Sequence, residues 1–97
     1  MQVSELLEHV KAAADVSSDS KLSRMIHSTP AQISMWRRGA YFPKDQKLIE
    51  LCEIAGIPEE IGLMWLNVWR SDDKAKPIYE KLARDLEKRA SKTNRAA

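Results

Sequence analysis

Two short apolar stripes, separated by a proline-capped break between residues 18 and 39, constrain this chain more than any other feature. Leu22, Met25 and Ile26 recur at spacings of three and four, which places them on one face of a helix; Ile33 and Trp36 do the same for a second. Between them stands Thr29-Pro30-Ala31-Gln32. Thr29 can accept from the backbone N–H three residues on, Gln32 can reach back to the cap, and Pro30 sits where a helix needs no N–H. Gly39 suits the left-handed position just past the second helix. That helix keeps Pro30, Ala31, Gln32 and Ser34 on its outer side, together with Met35, Arg37 and Arg38. Two helices so joined are the layout of a helix-turn-helix, whose second helix enters the DNA major groove.

From about Ser18 to Pro43 the chain resembles the lambda-repressor-like helix-turn-helix family of small phage and bacterial transcription regulators. Leu22, Ile26, Ile33 and Trp36 fall where that family buries its core, and Trp36-Arg37-Arg38-Gly39 matches its W-x-x-G helix ending. Two positions depart from the pattern. Ser23 replaces the usual alanine of the first helix, and His27 the usual glycine of the turn. Serine is still small enough for close helix contact, and histidine tolerates positive φ better than most residues. The resemblance implies a compact all-α domain of five to six helices with a C-terminal helical extension. It also implies that Pro30, Ala31, Ser34 and Met35 face base edges, with Gln32 at the entry to the groove. Few of these side chains can make paired hydrogen bonds to a base, so readout would lean on thymine methyls and DNA shape.

Charge supports the same surface. Net charge is only +2, but between Ser20 and Lys47 the basic residues Lys21, Arg24, Arg37, Arg38, Lys44 and Lys47 face the single acid Asp45. Glu50, Glu53, Glu59 and Glu60 follow. A solvated surface more often mixes its signs, whereas phosphate contact needs this segregation. The expected phosphate contacts are Lys21, Thr29, Arg37, Arg38, Tyr41 and Lys44, which would set register and affinity rather than sequence choice.

The remaining segments carry helical periodicity, and none alternates as a strand would. Ser4 is expected to cap a first helix to about Ala14, with Leu6, Leu7 and Val10 inward. Ala40 to Pro43 forms a loop, Asp45 is expected to cap a helix stopped at Gly56, and Pro58-Glu59-Glu60 opens another running to Arg70. That helix is apolar on nearly all sides, so it is central to the core or shared with a partner. Residues 1–71 are taken as the DNA-binding unit, and 72–97 as a charged helix and basic tail of the same domain or a dimerisation element. Trp65, Trp69, Tyr79, Leu82 and Leu86 are the candidate seam of a homodimer; equally, they pack in cis. Residues 90–97 read as a frayed basic tail.

Other classes find little support. His9 and His27 have no partners at metal-ligand spacing, and there is no phosphate loop or nucleophile motif, so neither an enzyme nor a cofactor, metal or small-molecule substrate is expected. Cys52 stands alone on an apolar helix face, which suits a buried thiol. No stretch is long enough to span a membrane and the start is not a signal peptide, so a cytoplasmic protein is expected. Three functions remain: a repressor or Cro-like regulator, an excisionase-like or antitoxin-like accessory factor, and a helix-turn-helix scaffold reused for inhibitory protein contact. The basic strip favours the first two, which need double-stranded DNA as partner.

Overall fold

A computed structural model describes the backbone of residues 1–96 and the side chains through Ser91. Six helices follow one another with no strand among the described residues: α1 (Val3–Ala14), α2 (Asp19–Met25), α3 (Pro30–Arg38), α4 (Asp45–Ala55), α5 (Glu59–Arg70) and α6 (Lys76–Ala96). None is long and apolar enough to cross a membrane. The molecule measures 36 × 36 × 19 Å, so it is about two helix diameters thick.

The first four helices share one way of stopping. After α1 the N–H of Val16 donates to the Lys11 carbonyl at 3.0 Å, and Asp15 takes a left-handed φ of 55°. After α2 the N–H of Ser28 donates to Ser23 at 2.7 Å around His27, at φ 56°. Ala40 to Met35 and Ile57 to Cys52 repeat the bond around Gly39 and Gly56, both at φ 72°. Each is a Schellman ending, which satisfies the last carbonyls and turns the chain sharply within two residues. Gly39 and Gly56 announce themselves in the sequence, and His27 fills the position expected of it. Asp15 gives no such signal.

Several starts differ from expectation. The cap of α1 is Gln2, whose N–H donates to the Glu5 carboxylate at 3.3 Å, and not Ser4. Lys44 occupies the N-cap of α4 without a side-chain bond, and Asp45 is the first helical residue. Its carboxylate meets Arg70 at 3.2 Å instead, while the same guanidinium donates to the Pro43 carbonyl at 2.9 Å and ties α5 to the α3–α4 loop. Met25, expected inward, is 38% exposed because α2 ends there and only Ile26 turns into the core. The last helix continues to Ala96 instead of fraying at Ala90. The side chains of the basic tail beyond residue 91 lie outside those described.

Two apolar clusters meet in the middle. The larger gathers Val3, Leu6, Leu7 and Val10 of α1, Leu22 and Ile26, Ile33 and Trp36 of α3, Leu48, Leu51 and Cys52 of α4, and Leu66 of α5. The smaller holds Ile61, Trp65 and Val68 of α5 against Ala83, with Tyr79, Leu86 and Ala90 of α6 alongside. Met1, Ile57 and Trp69 touch both, so the two halves form one continuous core. Each fully buried Leu or Ile contributes about 1.5–3 kcal/mol. Where α4 crosses α5 the backbones come close at Gly62, where a Cβ would stand 2.2 Å from Cys52 Sγ and 2.9 Å from Leu48 Cδ1.

Candidate nucleic-acid interface

The surface to weigh is the outer side of α3, and its orientation is set from behind. Ile33 is fully buried and Trp36 is 3% exposed, which fixes the helix about its own axis against the core. The opposite side then carries Pro30, Ala31, Gln32, Ser34 and Arg38 into solvent, with Met35 half-buried at its edge. Five of the residues expected to read bases or flank them therefore share one exposed face.

The start of that helix is closed by a reciprocal capping box. Gln32 N–H donates to Thr29 Oγ1 at 3.1 Å, and Thr29 N–H donates to Gln32 Oε1 at 3.1 Å. Both side chains keep an outward donor, because the Thr29 hydroxyl proton and the Gln32 amide NH2 remain unspent. The box therefore orders these groups without consuming what a phosphate or base acceptor would need.

Arg37 is placed differently from its neighbours. Its Nε donates to Asp19 Oδ2 at 2.9 Å, and its Nη2 reaches Asp19 Oδ1 at 2.9 Å and Glu8 Oε2 at 2.6 Å. Lys11 closes the cluster, 3.3 Å from Asp19 and 3.5 Å from Glu8. Expected at a phosphate, Arg37 instead spends its fork pinning the end of α3 to α1 and α2. The hydrogen bond from Arg37 holds the carboxyls of Asp19 and Glu8 below their ordinary values, and Asp19 in turn raises the guanidinium further. Lys47 also leaves the basic strip: its ammonium donates to the Ile26 carbonyl and to Glu50, bracing α4 against the end of α2. Sequence reasoning missed both braces, since Glu8, Asp19 and Ile26 lie far from their partners along the chain.

What remains are the cations without a partner of opposite charge. Lys21, Arg24 and Lys44 are exposed and enter no ion pair among the described residues; Arg38 is exposed and touches only the Met35 sulfur, at 2.6 Å. Tyr41 is 44% exposed in the α3–α4 loop. Beside it an open cleft of 470 Å³ runs between the first turn of α3 and that of α4, lined among others by His27, Gln32, Trp36, Tyr41 and Lys44. No group of three or more His, Cys, Asp or Glu suited to a metal occurs among the described residues.

The residues expected at a dimer seam divide. Trp65 is 3% exposed, its indole N–H bonded to Glu87 and its ring 5.7 Å from the Arg84 guanidinium carbon. Trp69 donates to the Met1 carbonyl at 2.9 Å and lies 6.0 Å from the Phe42 ring. Tyr79 and Leu86 pack beside them. These four pack within the chain, where α6 folds back over α5; Trp69, Tyr79 and Leu86 are half-buried there. Leu82 is the exception at 45% exposed. No family model, curated protein or solved structure matches this chain.

Proposed function

We propose that this chain is a sequence-specific double-stranded-DNA-binding transcriptional regulator of the lambda-repressor-like kind, with α3 as its reading helix. One observation carries the reading: a helix fixed from behind by Ile33 and Trp36 turns a face of small and polar residues outward, between cations that enter no ion pair among the described residues. The major groove is about 12 Å wide, which admits one α-helix. Pro30, Ala31, Gln32, Ser34 and Met35 would meet base edges. Lys21, Arg38 and Lys44, with Thr29 and Tyr41, would meet phosphates on either side. Two copies on half-sites about one helical turn apart would supply the affinity that one small module lacks.

The test is fluorescence anisotropy with DNA fragments flanking the protein's own gene, against scrambled DNA and across a range of salt. Ala31→Glu combined with Ser34→Glu should abolish specific binding while leaving the melting temperature unchanged, since both sites are exposed. Binding that survives this pair of acids would remove α3 from the groove.

A further inference from the structure

The capping box at the start of α3 restricts one side chain of its outer face. A free glutamine can turn its amide and offer a base a donor, an acceptor or both. Gln32 has lost that choice. Its Oε1 accepts the Thr29 N–H at 3.1 Å, and only the oxygen of the amide can accept a backbone N–H. The NH2 on the same planar carbon diverges from that bond. Gln32 is exposed, and its NH2 donates to nothing among the described residues. Pro30 and Ala31 beside it carry no side-chain acceptor, and α3 contains no acid. The first turn of the helix therefore presents the polar edge of Gln32 as a donor.

We propose that Gln32 reads guanine, as a double donor, and is barred from adenine by its own helix cap. The proposal rests on the DNA-binding reading and names the base that one position of that site takes. Glutamine in the major groove ordinarily pairs with adenine, giving a donor to N7 and an acceptor to the N6 amine. Here the acceptor is engaged by the cap. Turning the amide to recover it would strip the Thr29 N–H of its partner and set two donors against each other. Guanine alone presents two acceptors side by side, N7 and O6, which the two hydrogens of one NH2 can meet. Thymine offers a single acceptor, and cytosine a donor that would face a donor. The bond that closes the helix thus also sets the sign of its polar readout. A box closed by a carboxylate would read the opposite base.

Enrichment of randomised duplexes by the full chain, followed by anisotropy on the enriched sequence, tests the assignment. The wild type should enrich a guanine at one position of each half-site, and adenine there should weaken binding about tenfold. DNA with 7-deazaguanine at that position lacks only the N7 acceptor and should bind severalfold more weakly. Gln32→Glu keeps the box, since a carboxylate also accepts the Thr29 N–H. Its circular dichroism melt should match the wild type, while the enriched base changes from guanine to cytosine, whose N4 amine donates. A motif that Gln32→Glu leaves unchanged overturns the proposal. So does adenine at the position that changes, or undiminished binding to the 7-deazaguanine duplex. A lowered melt would show that the box is not what holds this side chain, and overturns it as well. Should the wild type enrich no duplex at all, the DNA-binding reading falls and this assignment with it; a guanine-free motif removes the assignment alone.

Discussion

At the scale of single residues, Arg37 and Lys44 stand in one basic strip but in different surroundings, Arg37 ion-paired and Lys44 exposed with no ion pair among the described residues. Arg37 makes a paired, partly buried contact with Asp19, of a kind worth about 0.5–1 kcal/mol after allowance for solvent. Both its carboxylate partners titrate below their unfolded values, so the stabilisation is complete above the unfolded range and is lost as pH falls through the lower folded values. Urea denaturation of Arg37→Ala at stepped pH should show a deficit against wild type that is constant through neutral pH and shrinks below about pH 4. On the proposed DNA-binding reading, the same variant should keep the wild-type salt dependence of DNA affinity. Lys44→Ala should leave stability alone and flatten that dependence by about one unit of slope. His27 offers the opposite case, a residue whose backbone is strained for its type. His27→Gly removes a left-handed penalty of roughly 1 kcal/mol, part of which is returned as unfolded-state entropy. Thermal melting should rise by a few degrees, with DNA affinity unchanged.

Among the helices, local chemistry decided what could be read in advance. The Thr29–Gln32 box, Pro30 at the first helical position and the Gly39 stop all act within four residues, and α3 has the bounds they imply. Asp45 misled because an acid near a helix start can either cap it or lie in its first turn, and here Arg70 from another helix made the choice. Met25 misled because the inward stripe of a seven-residue helix leaves little room for a third large side chain. Gly62 gave no warning at all, since mid-helix glycine in an apolar run shows its purpose only when α4 arrives. There it leaves room for the Cys52 and Leu48 side chains of α4. Gly62→Ala should cost about 1–3 kcal/mol by overpacking, although alanine is the better helix former by roughly 1 kcal/mol. The Sγ of Cys52 and the Cδ1 of Leu48 are both buried and have nowhere to swing. Adding Cys52→Ala should recover much of the loss, and a double-mutant cycle in urea reads the coupling directly.

For the whole molecule, the sequence signalled a surplus of apolar side chains on α5 without showing who would cover it. Trp65, Trp69, Tyr79 and Leu86 could equally have met a second copy, because heptad-like spacing records only that a helix has a partner. In the structure the short connection after Arg70 returns α6 across α5, and these four side chains pack within the chain. Which residues share the exposed face of α3 was legible for a related reason, as it is the complement of a stripe that must be buried.

The crossing of α4 and α5 also makes the molecule its own clock. Cys52 is fully buried there, and burial, with a smaller contribution from Glu59, pushes its thiol up to about 11. Alkylating reagents attack the thiolate, and they can reach it only when the two helices separate. At neutral pH, iodoacetamide should therefore label the native protein far more slowly than it labels a short cysteine peptide. The ratio of the two rates measures the free energy of opening. Added urea should accelerate labelling with the same slope that it shifts global unfolding, since the thiol is fully buried in the larger cluster where α4 meets α5.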